Sequence, residues 1–142
     1  MKKSPLILLG CLFLATFFLS FTSLQKKKEK SLQVSAYLIY RSGKLSSFDV
    51  LNDKSISLWN TIIGEGAAED WSNQTKIVLT GSAKNVSLVV SNGGKIVLNK
   101  KGLNVANKAE FIIKNTGCQE LIVKVKSEDT NYIGKVPFNC GE

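Results

Sequence analysis

The chain has 142 residues, a formal charge of +8, three cysteines and no histidine. That is one domain's worth of polypeptide. The missing histidine excludes a His-based triad, a His metal site and an imidazole switch, and three cysteines cannot build a four-cysteine zinc site. With 44% hydrophobic residues against 11 Gly and 2 Pro, the composition is that of a globular chain, not a disordered one.

The positive charge is unevenly spread. Residues 1–30 hold six lysines against Glu29, which is +5 of the +8. In the remainder, lysines alternate with apolar residues, as on solvated strand faces. Nucleic acid is therefore not an expected partner.

After Lys2 and Lys3, residues Pro5–Leu24 form an uncharged, mostly apolar run of 20 residues. As a helix this run spans about 30 Å, the hydrocarbon thickness of a bilayer. A basic start followed by an apolar run reads as an export segment, so residues 1–24 are expected to be a signal peptide or transmembrane anchor. Three fates compete. Ser20 and Thr22 loosely fit a signal-peptidase site. Leu8-Leu9-Gly10-Cys11 resembles a lipobox, although only six apolar residues precede Cys11 and 13 of the run follow it. An uncleaved anchor uses the whole run. Lys26-Lys27-Lys28-Glu29-Lys30 outnumbers the leading lysines, so the positive-inside rule conflicts with export. The cysteines favour export. Residues 25–31 are expected to be a basic stalk that can lie against anionic headgroups, and residues 32–142 the folded domain.

Within the domain, Gln33–Tyr40 reads as a strand, and a turn at Ser42-Gly43 lets Leu45–Leu51 pair back as a hairpin. Asp53–Ile63 reads as a short helix. Asn52-Asp53 offers the N-cap, Ile56, Trp59 and Ile63 recur on one face, and Gly64 follows as the C-cap; a strand over Ile56–Trp59 is the alternative. Gly64–Gln74 is loop. Further strands are expected at Thr75–Thr80, Val86–Ser91, Lys95–Lys100, Ala109–Lys114, Glu120–Lys126 and Tyr132–Asn139. Ser91-Asn92-Gly93-Gly94 is a strong hairpin signal. Leu121, Val123 and Val125 face one way and Lys124 and Lys126 the other, the period of a sheet with one wet side. Pro137 makes the last strand an edge. Eight short strands predict a mostly β fold, an immunoglobulin-like antiparallel β-sandwich with one short helix, preceded by the N-terminal hydrophobic helix. At about 110 residues such a domain buries about two thirds of its unfolded surface.

Cys118 and Cys140 bracket the final hairpin, each about ten residues from its turn, so the pairing brings them near disulfide range. A bridge there fits an exported protein.

Catalytic constellations are scarce. Asn92-Gly93-Gly94-Lys95 lacks the first glycine and the Ser/Thr of a phosphate loop, so it reads as a hairpin turn. Asn73-Gln74-Thr75 and Asn85-Val86-Ser87 match the glycosylation triplet, which would carry no meaning in a bacterial protein and arises often by chance. Glu65, Glu69 and Asp70 form the one acidic loop cluster. They could hold Ca²⁺, though their spacing fits no known calcium loop, and Glu65 with Glu69 could act as an acid/base pair on a glycoside. No cofactor is expected. Beside them Trp71 stands among polar residues, and an aromatic next to acids on a loop is a common recognition hot spot. Glu65, Glu69, Asp70 and Trp71 are therefore the candidate interaction loop, with Trp71 folding back over the sheet as the competing reading.

The stretches Leu58-Trp59-Asn60-Thr61-Ile62-Ile63-Gly64-Glu65-Gly66, Ile113-Lys114-Asn115-Thr116-Gly117-Cys118 and Pro137-Phe138-Asn139-Cys140 resemble small exported bacterial Ig-like proteins with no assigned activity. The resemblance transfers no functional residue. The expected function is a non-enzymatic, envelope-associated binding or structural module. It would be membrane-anchored through residues 5–24 or secreted, with an envelope protein or glycan as partner. A periplasmic enzyme or metal-dependent module using Glu65, Glu69 and Asp70 is the alternative, and a subunit that pairs its edge strand with a neighbour is a third.

Overall fold

In the computed structural model, residues 31–55, 69–114, 118–136 and 138 are described. Their regular elements are five β-strands: β1 (Gln33–Tyr40), β2 (Ser72–Asn92), β3 (Lys95–Lys114), β4 (Leu121–Lys126) and β5 (Asn131–Val136). All pairings are antiparallel, so the mostly β expectation holds. The order is β1-β2-β4-β5, with β3 on the other side of β2. β2 is shared along one side, its first half pairing with β1 and its second half with β4. β5 lies at one end of the order, the edge position anticipated from Pro137, and it stops at Val136, directly before that proline.

Eight separate strands are not seen. Thr75–Thr80 and Val86–Ser91 are two halves of β2, and Lys95–Lys100 and Ala109–Lys114 are two halves of β3. The polar stretches between them looked like turns. Instead they pair with each other, Gly81 opposite Asn107, Ser82 opposite Ala106 and Ala83 opposite Val105. Four residues here have positive φ: Gly81 (129°), Asn85 (53°), Gly102 (67°) and Asn107 (80°). Glycine and asparagine are the residues that tolerate such a backbone. The long hairpin therefore bends in its middle without breaking.

The bend also resets the side-chain alternation. Before it Thr75, Ile77 and Leu79 are buried; after it Val86, Leu88 and Val90 are. Odd positions become even because β2 advances three residues from Ala83 to Val86 while β3 advances two, from Val105 to Leu103. That extra residue is a β-bulge, which keeps one face of the strand inward as the sheet curls. Val34, Ala36 and Leu38 of β1 consequently join Leu88, Val90, Leu121, Val123, Val125 and Val136 in a single core cluster.

The β2–β3 hairpin closes at Gly93 and Gly94, both with positive φ (54° and 79°), as the sequence anticipates. Glycine suits position 93 on both counts, because its φ is positive and an added Cβ would make the end of the Gln119 side chain move aside.

The Leu45–Leu51 strand is not formed; one bridge, Ile39 to Leu45, stands in its place. Residues 44–50 nevertheless run beside β1 and satisfy its outer edge by another route. Ser46 N donates to Leu38 O (2.9 Å) and Val50 N to Ala36 O (2.9 Å). The β1 amides are taken up by side chains: Ala36 N donates to Asp49 Oδ1 (2.9 Å) and Leu38 N to Ser46 Oγ (3.1 Å). Polar side chains acting as backbone acceptors replaced the regular ladder. No helix is present among the described residues. Of the expected helix, Asp53–Ser55 forms a turn in which Asp53 Oδ1 accepts from Ser55 N (3.0 Å), and residues 56–63 lie outside the described residues.

On the outer face of the first half, Glu110 accepts from Lys76 (2.7 Å) and from Lys108. Lys108 first, then Lys76, holds the Glu110 carboxyl below the usual range. A lowered carboxylate pKa stabilises the fold above the ordinary value near 4.5, and the contribution disappears as pH falls through the lowered folded value. Replacing Glu110 by Gln is expected to lower Tm only slightly at pH 7, since the pair is exposed, and to flatten the acid limb by that same small amount, so that the two proteins converge at low pH. A melting series from pH 7 to pH 3 checks it.

Candidate functional site

The acidic loop identified in the sequence is only partly within the described residues. Glu65 lies outside them. Glu69 and Asp70 are exposed and Trp71 is half-buried. Asp70 is engaged locally: its Oδ2 accepts from Ser42 Oγ (3.2 Å). Trp71 O accepts from Arg41 N (2.8 Å), and the Arg41 guanidinium sits 5.8 Å from the Trp71 ring centroid, within cation–π range. These contacts tie the 41–44 turn to the start of β2. Burial, and then the Asp70 carboxylate, raises the Tyr40 hydroxyl pKa. No three metal-ligating side chains come together among the described residues.

Cys118 is disulfide-bonded, and Cys140 lies outside the described residues. In the β4–β5 hairpin Leu121 faces Val136, so Cys118 precedes its open end by three residues and Cys140 follows it by four.

A more developed concavity lies elsewhere, between the segment after β1 and the face of β5. This groove, of about 540 Å³, is lined by Val50–Lys54 on one side and by Glu120 and Tyr132–Lys135 on the other. Each wall is held in place. Asp49 Oδ1 accepts from Leu51 N (3.0 Å) and its Oδ2 from Asn52 Nδ2 (2.6 Å). Asn52 Nδ2 also donates to Val34 O (2.8 Å), and Asn52 Oδ1 accepts from the Tyr132 hydroxyl (3.3 Å), which joins the walls. Burial, and then the Asp49 carboxylate, raises the Tyr132 pKa. Lys135 pairs with Glu120 at 3.1 Å.

Gly134 permits this closure. A Cβ there would lie 2.5 Å from the Tyr132 hydroxyl and 2.8 Å from Leu51 Cδ2. The absent side chain leaves the space into which the tyrosine ring and the leucine pack. Gly134→Ala is expected to cost about 1–3 kcal/mol, as overpacking does, and to displace Tyr132, which would lower its hydroxyl pKa toward the ordinary value. Denaturant unfolding and ultraviolet titration of the tyrosines read the two effects.

Next to Gly134, Ile133 points outward and is 61% exposed. With Tyr132, Val50 and Leu51 it makes the groove's lining apolar, and Lys54, Asp53 and the Lys135–Glu120 pair supply charge. Sequence reasoning did not find this groove. One signal was available: Ile133 falls on the wet face of the final strand, where Lys135 stands two residues later. What could not be read was that residues 50–54 return to meet it.

No family model matches the chain, and no curated protein or solved structure matches it either.

Proposed function

We propose that the chain is a non-enzymatic, envelope-associated module, exported and either anchored through residues 5–24 or secreted, whose β-domain binds a partner in the groove between residues 50–54 and β5. The finer fold reading belongs to the same proposal: the two halves of the curled sheet act as the layers of an Ig-like sandwich around their common core.

The groove carries this reading. It combines apolar walls with a few fixed polar groups, the usual composition of a binding site. Among the described residues its β5 wall is also an edge strand, so the strand's outer backbone groups lie beside it. An extended segment of an envelope protein suits that arrangement better than a compact ligand, since main-chain pairing gives affinity and an adjacent pocket gives selectivity. The Tyr132 hydroxyl, whose pKa is raised, stays protonated at neutral pH and donates a hydrogen bond to Asn52 Oδ1.

The test is site-specific photocrosslinking in cells producing the full chain. Ile133 and Ile112 are almost equally exposed, at 61% and 60%, but lie on different halves of the sheet. A photoreactive residue at 133 is expected to yield one discrete adduct, and the same residue at 112 none. No adduct at 133, or equal adducts at both positions, contradicts the proposal. The metal-dependent alternative predicts that Ca²⁺ raises Tm and that alanine at Glu65, Glu69 and Asp70 removes the rise; the binding reading predicts no shift.

A further inference from the structure

The domain's first described residues fix where the preceding chain meets the fold. Ser31 and Leu32 line a small concavity with Ser82, Ala83 and Lys84 of the bend and with residues 127–130 of the β4–β5 turn. A second concavity, of about 520 Å³, opens beside it; the two have Lys84, Ser127 and Glu128 in common. Its lining adds Lys101 and Lys126, with Asn85, Ser87 and Gly102. Three lysines from three strands thus converge at the end of the domain where the chain comes in.

Their placement follows from the fold. Ser87 faces Lys126 in the β2–β4 ladder, and the bulge between Val86 and Leu88 leaves Lys101 and Gly102 unregistered on β3. The bend brings these positions level with Lys84. All three lysines are exposed, and among the described residues none forms an ion pair with a carboxylate, whereas Lys76, Lys108 and Lys135 all do. Glu128 is the one acid lining the concavity, and Asp129 lies in the neighbouring turn.

We infer that this end of the domain is a docking surface for anionic phospholipid headgroups, resting on the reading of residues 5–24 as a membrane anchor. Two observations select a lipid surface. Only six residues, Gln25–Lys30, separate the apolar run from Ser31. Even fully extended they span about 20 Å, so an anchored chain holds its lysine-bearing end close to the bilayer. The stalk itself carries Lys26, Lys27, Lys28 and Lys30, which adds four positive charges to the short stretch of sequence between the apolar run and the domain. With the domain tethered, headgroup contact is an intramolecular event at high effective concentration, and a few weak charge contacts suffice.

Lysine footprinting of the full chain in lipid nanodiscs tests this. Acetylation rates are compared in discs of phosphatidylcholine and in discs that also contain phosphatidylglycerol. Labelling of Lys84, Lys101 and Lys126 is expected to slow about fivefold in the anionic discs, the factor for ~1 kcal/mol per lysine at such a surface, and to recover at high salt. Lys44 and Lys114, at the opposite end of the first half, serve as references and are expected to label equally in both. Equal labelling of the three lysines in both discs, or slowing confined to residues 26–30, overturns the inference while leaving the anchor intact. Release of the chain from the discs by alkaline carbonate overturns the anchor, and the inference with it.

Discussion

Asp49→Ala is expected to destabilise the domain by about 3 kcal/mol, more than a loop residue ordinarily would. Asp49 sits in a turn, but its carboxylate performs three tasks at once. It accepts from Ala36 N of β1, from Leu51 N and from Asn52 Nδ2. Ala36 is fully buried, so alanine at position 49 would strand its N–H without a partner, at about 1–3 kcal/mol. The loss of two further bonds from an ionised acceptor adds to that. Asp49→Asn separates the contributions, because its amide oxygen can still accept from Ala36 and Leu51 while its charge is gone. It is expected to retain most of the stability and to lower the Tyr132 pKa, since the Asp49 carboxylate contributes to raising it. Urea unfolding of the two variants with tyrosine titration reads both quantities. Equal and small losses in both variants would show that β1's edge does not depend on this side chain.

Cys118→Ser is the second large effect. The cysteine is disulfide-bonded, and native disulfides in small domains typically contribute about 2–5 kcal/mol. With Cys140 as partner, the bridge would close a loop of about 20 residues and contribute roughly 3 kcal/mol in the entropy model. The domain has little reserve for losing it, since whole domains are stable by only about 5–15 kcal/mol. Unfolding of Cys118→Ser, Cys140→Ser and the double variant decides the pairing. If the two cysteines form one bridge, all three lose the same amount; additive losses would mean that they act separately.

The sequence made the strand chemistry legible and left the connectivity hidden. Gln33–Tyr40 and the Gly93-Gly94 turn were readable because alternation and turn glycines are local properties. Leu121–Lys126 was readable for the same reason, with its valines inward and lysines outward. The bend was not. Gly81, Asn85, Gly102 and Asn107 have the composition of turns, and only their mutual pairing, a long-range fact, makes them the bulged middle of two long strands. The segment from Leu45 to Leu51 failed differently. The sequence places Ser46 and Asp49 in a pairing strand, but it is their side chains that accept from β1's edge. The site was less legible than the fold. Asp70 and Trp71 stood out by composition, yet their side chains fasten the 41–44 turn to β2. The groove is assembled from Leu51 and Tyr132, 81 positions apart, and its closure depends on a missing side chain at Gly134.

The central claim, an exported domain anchored in the envelope and closed by a disulfide, is tested most directly by intact mass. The natively produced chain is measured from separated membrane and soluble fractions, before and after reduction. The account predicts the full-length mass in the membrane fraction, lighter by two hydrogen atoms until reduction restores them. A full-length chain in the soluble cytoplasmic fraction with all thiols reduced would contradict it.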